Sequence, residues 1–186
     1  MTFLKQARLL FQIGIIQALI RCDAWLRAVP ADLKRVFKLA SWMTALYLLM
    51  SVLNVAILSW VGISFEPATF FPERIPFVLL LIVLLLIAIL EELVFRIAPL
   101  GILAWHGAHT STLLVTAAVS SVIFGYMHGG LANIPVQGLS GLILSLLFLK
   151  CGGITGTRRG VLIGAGACIC SHFVWNIIIA VVLIAI

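Results

Sequence analysis

The sequence predicts an all-α fold, a polytopic membrane bundle of roughly five to seven helices. Three observations carry that prediction. Hydrophobic residues make up 63% of the 186-residue chain and charged residues only 10%, whereas a soluble domain has roughly 45–50% apolar and about 25% charged residues. The apolar residues are gathered in runs long enough to cross a bilayer, about 20 residues each. Between the runs lie short stretches holding four of the six prolines and most of the basic residues. The whole length is used by such runs, so no soluble domain is expected beside them.

Taken in order, the first segment is Phe3 to Ile20. It is apolar but carries Lys5, Arg8, Gln12 and Gln17, with Lys5, Arg8 and Gln12 on one helical face. That pattern suits an interfacial helix or a weak first span. Gln12 and Gln17 interrupt it too much for a signal peptide. Arg21 to Lys38 is the first basic stretch, with Pro30-Ala31-Asp32 as a turn or helix start. Residues 1–38 thus form one region, and 39–186 the membrane-embedded domain.

Leu39 to Ile63 is read as a span, and Ser64 to Pro76 as a loop broken by Pro67, Pro72 and Pro76. Phe77 opens a second span that runs to Trp105, with Pro99 expected to kink it. A turn over His106–Thr110 leads into Ser111 to Met127, which ends in His128-Gly129-Gly130. Leu131 to Leu149 is opened by Asn133 and Pro135 and carries Gly138 and Gly141, small residues that suit close helix packing. Lys150 to Gly160 is a Gly-rich basic turn, and Val161 to Ile186 is the last apolar run.

The net charge of +6 is distributed as the positive-inside rule distributes it. The basic stretches Arg21–Lys38 and Lys150–Gly160 fall on one side, expected to be cytoplasmic, and Ser64–Pro76 on the other. Nucleic-acid binding is excluded, because the basic residues lie in loops and not along an aromatic-studded groove. Cys22, Cys151, Cys168 and Cys170 have neither zinc-ribbon nor secreted-framework spacing, and Cys168 and Cys170 read as small packing residues.

Within the spans the strong polar groups are few: Glu91, Glu92, Arg96, His128, His172 and Asn176. Ionisable residues inside a membrane mark functional sites by default. Glu92 and Arg96 are four apart and can pair on one face. Glu91 points about 100° away and is left available. At about 1.5 Å rise per residue, Glu91 stands roughly 25 Å and His128 roughly 30 Å from the turn near Ala108, and His172 roughly 20 Å from Arg159. A Glu and two His on three helices therefore share a depth, around a polar catalytic cavity. His172 and Asn176 share a helix face, as do Phe124 and His128.

A carboxylate and an imidazole at one level can take a proton from a shared water. A His and an Asn one turn apart can donate to a developing oxyanion. This combination suits hydrolysis of a peptide bond without a covalent nucleophile, and no nucleophile motif is present. Glu91, His128 and His172 could instead hold a catalytic zinc, although the His-Glu-x-x-His signature is absent. A proton relay in a transporter is a further class, which no inverted repeat supports.

Glu91-Glu92-Leu93-Val94-Phe95-Arg96, Phe124-Gly125-Tyr126-Met127-His128 and His172-Phe173-Val174-Trp175-Asn176 resemble, in that order, the motifs of the CAAX protease and bacteriocin-processing (Abi) family. That family includes the Ras-converting type of CAAX prenyl endopeptidase. The resemblance covers about residues 77–179. It implies an intramembrane endopeptidase in which Glu91 activates water beside His128, His172 and Asn176 stabilise the oxyanion, and Glu92, Arg96 and Phe124 support them. It implies no cofactor, with zinc as the alternative, and a peptide or protein substrate, possibly lipidated, met among membrane lipids. Eukaryotic members process prenylated CAAX proteins, and bacterial relatives are linked to peptide maturation and self-immunity. A non-catalytic scaffold or immunity protein with the same fold is therefore the competing class. A bacterial or archaeal cytoplasmic membrane is the expected location. Two departures concern geometry: Ile97-Ala98-Pro99 follows Arg96 where a Gly is common, and the stretch Gly152–Cys170 is long, which would set His172 deeper.

Overall fold

The computed structural model describes residues 3–30, 32–62 and 76–185. Among them there are seven α-helices and no strand: α1 Phe3–Arg27, α2 Leu33–Trp60, α3 Phe77–Glu92, α4 Ile102–Trp105, α5 Thr110–Met127, α6 Leu139–Lys150 and α7 Arg158–Ala185. Five stretches are long and apolar enough to cross a membrane: Leu33–Trp60, Phe77–Trp105, Thr110–Met127, Leu131–Lys150 and Arg158–Val181. The chain is an integral, multi-pass helical bundle. α1 is not among the five. The expected loop at Ser64–Pro76 lies, apart from Pro76, outside the described residues.

α2 begins six residues before the span expected from Leu39. The Asp32 carboxylate accepts a hydrogen bond from the Arg35 backbone N–H at 2.8 Å, which caps the first turn. Lys34, Arg35 and Lys38 are therefore exposed side chains of a helix, not of a loop. Such long cationic side chains carry their heads to the membrane surface while their stems lie along apolar surface.

α3 is apolar all round, and what orients it is a row at a spacing of four. Leu80, Leu84, Ala88, Glu92, Arg96, Leu100 and Ala104 are all buried, while Val78, Leu86, Leu90 and Val94 are exposed. The row continues through a π-helical segment, Leu93–Gly101, that joins α3 to α4. Pro99 explains the need for local rearrangement. It has no N–H for the Phe95 carbonyl, and the Ser120 hydroxyl of α5 donates to that carbonyl at 2.6 Å. The expected kink is thus accommodated inside a continuous helical span.

A second π-helical segment, Ile134–Gly138, precedes α6. It packs on α5 backbone to backbone. A Cβ on Gly125 would lie 2.7 Å from the Gly138 nitrogen, and one on Gly138 would lie 3.0 Å from the Ser121 carbonyl oxygen. In lipid, where apolar burial drives little helix association, such close approach supplies the packing. α6 is the most enclosed helix, burying Ser140, Gly141, Leu144, Ser145 and Phe148 among others.

Both basic stretches lie at one end of the bundle. The buried Lys150 ammonium donates to the Trp25 and Ala28 carbonyls at the end of α1 and sits 4.8 Å from the centroid of the Trp25 ring. Those carbonyls are among the orphan acceptors of a helix C-terminus, so a cation suits the position. Arg27 and Asp23 of α1 both bond the Thr110 hydroxyl at the start of α5. The main apolar core, with Leu26, Leu100, Leu113, Leu147, Phe148 and Cys168, fills this half. A smaller cluster of Leu80, Leu84 and Ala180 lies toward the other end. All four cysteines are free. Cys168 packs inside, its thiol donating to the Leu144 carbonyl at 3.1 Å, but Cys170 is exposed and does not pack as expected. Two residues apart on a helix, they point to different faces.

Candidate active site

Glu91 and Glu92 close α3, central in the 29-residue Phe77–Trp105 stretch. Their environments differ completely. Glu92 is 0% and Arg96 1% exposed, and Arg96 Nη1 meets Glu92 Oε1 at 3.0 Å. The Arg96 guanidinium carbon lies 4.2 Å from the centroid of the Phe124 ring. On another side is Gly141, where a Cβ would stand 2.8 Å from Arg96 Nη2. The guanidinium is boxed in by an aromatic face and a bare backbone. Glu92 Oε2 and Arg96 Nη2 are buried without a protein hydrogen-bond partner, so the pair is joined through a single pair of atoms.

Glu91 is 23% exposed and faces two imidazoles. His128 Nε2 lies 3.4 Å from its Oε1, and His172 Nε2 lies 3.3 Å from its Oε2. The far side of each ring is also engaged. His128 Nδ1 lies 2.7 Å from the Phe124 carbonyl oxygen, and His172 Nδ1 lies 2.7 Å from Glu92 Oε1. A carbonyl only accepts, and so does the carboxylate oxygen that pairs with an arginine. Both Nδ1 atoms therefore carry the proton. In the neutral rings, both Nε2 lone pairs point toward Glu91. Such contacts become hydrogen bonds only when a proton, or a water bringing its own, stands between the partners.

Two glycines place His128. It follows the last residue of α5, and Gly129 and Gly130 have φ of 137° and 80°, a region that favours glycine. The chain reverses there and brings Asn133 beneath the helix end, where its Nδ2 donates to the His128 carbonyl at 2.9 Å. A Cβ on Gly129 would lie 2.1 Å from that nitrogen. Phe124 is the common wall: its ring centroid is 4.2 Å from that of His128, 6.1 Å from that of His172 and 5.2 Å from that of Phe95.

The structure thus brings together Glu91, Glu92, Arg96, Phe124, His128 and His172. The long stretch Gly152–Cys170 does not displace His172 from this level: much of it lies in α7, whose Arg158 start sets His172 beside Glu91. Asn176 is half-buried one turn along α7, and no side-chain hydrogen bond among the described residues engages it. Sequence spacing linked His172 to Asn176; its hydrogen bond to Glu92 and its contact with Glu91 come from another helix and have no signature in spacing. Asn133 and Ser120 were also missed as contributors. The signals were there, Asn133 five residues after a motif His and Ser120 one turn before Phe124.

Among the described residues, no group of three or more His, Cys, Asp and Glu side chains is arranged to hold a metal ion. The arrangement can polarise a water between a carboxylate and an imidazole, in a pocket whose other charges are already compensated. Among known proteins, the family model described as Type II CAAX prenyl endopeptidase Rce1-like matches residues 73–178. No curated protein and no solved structure matches the chain significantly.

Proposed function

The chain belongs to the type II CAAX prenyl endopeptidase, Rce1-like family, and from that membership we propose a metal-free intramembrane endopeptidase whose water is activated by Glu91 and His128. The observation that carries the reading is the placement of Glu91. Its two oxygens each face an imidazole Nε2, at 3.4 and 3.3 Å, while the carboxylate beside it is neutralised by Arg96.

In this mechanism a water donates one hydrogen to Glu91 Oε1 and the other to His128 Nε2, both of which accept because Nδ1 holds the ring proton. As the water oxygen bonds to the scissile carbonyl carbon, its proton passes to Glu91. The developing oxyanion is met by protonated His172, through Nε2–H, and by the Asn176 amide. When the C–N bond breaks, the proton on Glu91 goes to the leaving amine. Glu92 and Arg96 do not touch the substrate; Glu92 holds His172 Nδ1 and so fixes the ring, and Arg96 holds Glu92. The substrate is a peptide or protein, and its chain reaches a site sunk to mid-membrane. The basic end of the bundle faces the cytoplasm in this reading.

Mass spectrometry of candidate peptides incubated with wild type and with Glu91→Gln tests the assignment. Cleavage should fall about a hundred- to ten-thousand-fold in the variant, the usual worth of a general base, with the bundle still folded. Turnover near wild type would refute it. Elemental analysis of active enzyme addresses the alternative. One zinc per chain, lost with activity in His172→Ala and restored with activity by added metal in the stripped wild type, would overturn the metal-free mechanism.

A further inference from the structure

The first turn of α7 stands between two apolar grooves at the basic end. One, about 420 Å³, runs along the lower half of the Phe77–Trp105 stretch and is lined by Ile97, Ala98, Ile102, Trp105 and Leu162, with His106 and Arg158 also in its lining. The other, about 530 Å³, lies on the α2 side and is lined by Leu33, Leu162 and Ile163, with Arg158 and Arg159. Arg158 and Leu162 belong to both. They are one helical turn apart, so a single helix face joins the grooves, and its end carries the guanidinium.

We propose that these paired grooves bind one two-chain anionic phospholipid from the leaflet at the basic end, an acyl chain in each groove and the phosphate on Arg158 and Arg159. The walls of the larger share belong to membrane-crossing segments, so hydrocarbon, not water, is the medium they face. Every charged or titratable group lining the two grooves is a base: Arg158, Arg159 and His106. Both arginines are exposed, and among the described residues neither makes an ion pair. One carboxylate, Asp32, shares an adjoining cavity with Arg159 but is already committed to the Arg35 backbone at 2.8 Å and side chain at 3.5 Å. Guanidinium forks match phosphate oxygens bidentately. Basic pockets between transmembrane helices hold anionic headgroups. Two acyl chains diverging from one glycerol phosphate reproduce the layout of two grooves meeting at Arg158. This site lies between Ile97 and the basic end of the span, does not include Glu91, and does not depend on the hydrolytic reading.

Native mass spectrometry of the full chain in neutral detergent, offered equal phosphatidylglycerol and phosphatidylcholine, is the test. Wild type should retain phosphatidylglycerol in about tenfold preference, as two basic contacts at the surface allow. Arg158→Gln/Arg159→Gln, at exposed positions that the fold does not need, should bind both lipids equally. Arg158→Lys/Arg159→Lys should keep part of the preference. Ala98→Leu, which narrows one groove without touching charge, should lower retention of both lipids. Equal retention by wild type would overturn the proposal, as would an unchanged preference in the Gln variant. Displacement of phosphatidylglycerol by a prenylated peptide at equal concentration would also overturn it, by assigning the grooves to a substrate chain.

Discussion

Asp23–Arg27 and Glu92–Arg96 are the same device in two settings. Each is a carboxylate followed four residues later by an arginine on one helix, and the contact lengths are 2.9 and 3.0 Å. In the first, the side chains are 40% and 58% exposed; in the second, 0% and 1%. Spacing alone makes the pair, and surroundings decide what it does. On α1 water serves either partner if the other is lost, so the pair contributes little. Inside the bundle each partner is the condition for the other's burial. The buried pair also holds a third group, since Glu92 Oε1 takes both Arg96 Nη1 and His172 Nδ1. Glu91, next in the chain to Glu92, escapes this arrangement and is the carboxylate that the proposed mechanism uses.

Removing half of the buried pair should have the largest effect. Glu92→Gln leaves a guanidinium uncompensated and should cost about 3–5 kcal/mol, read as a large fall in melting temperature in detergent, with cleavage lost as well. A melting temperature no lower than that of Asp23→Asn would erase the contrast between the two pairs. Gly141→Ala comes next. It keeps both charges but drives a methyl to 2.8 Å from Arg96 Nη2 and 3.1 Å from Phe124 Cδ1. Overpacking of this kind costs about 1–3 kcal/mol, and thermal unfolding with a parallel cleavage assay would show both stability and activity falling.

Asn133→Ala sharpens the comparison from the Glu91 side. It removes one hydrogen bond, worth about 0.5–1.5 kcal/mol, from the turn that holds His128. Turnover should drop while Arg96 stays paired, so activity should suffer more than stability. Asp23→Asn should be the mildest. The Thr110 hydroxyl and then the Arg27 guanidinium hold the Asp23 carboxyl below its usual value. A lowered carboxyl adds stability above its unfolded pKa and loses it as pH falls through the folded one. The small gap between Asp23→Asn and wild type should therefore be present at neutral pH and close on acidification. Unfolding curves at both pH values, with cleavage unchanged at neutral pH, check this.

The two pairs also mark what could be read from the sequence. Glu92–Arg96 stood out because fourteen apolar residues, Phe77 to Leu90, precede the motif. Asp23–Arg27 was lost in a basic stretch where several pairings were open. Depth along the helices was legible, because rise per residue is fixed, and it brought Glu91, His128 and His172 to one level. Rotation was less so. His172 shares a face with Asn176, yet it bonds Glu92 and faces Glu91, which only the packing of α3 on α7 decides. Pro30-Ala31-Asp32 was legible as a turn or helix start, but the helix was not carried from there into the span at Leu39, because Lys34, Arg35 and Lys38 resemble a loop.

The π-helical stretch Leu93–Gly101 has a consequence for rotational phase. An i→i+5 ladder takes more residues for each turn than an i→i+4 ladder, so α3 and α4 belong to one span but not to one continuous α-helical register. The carboxylates ride on the upper rotor and the groove-lining Ile102 and Trp105 on the lower one. Deleting a single residue between Leu93 and Gly101 with the i→i+5 ladder kept around Pro99 would swing one rotor against the other by nearly the 100° or so that one helical residue spans. Glu91 would then turn away from its imidazoles although no residue of the active site had been changed. The tolerance of this span for substitution and its tolerance for length are therefore separate properties, and the second is the narrower.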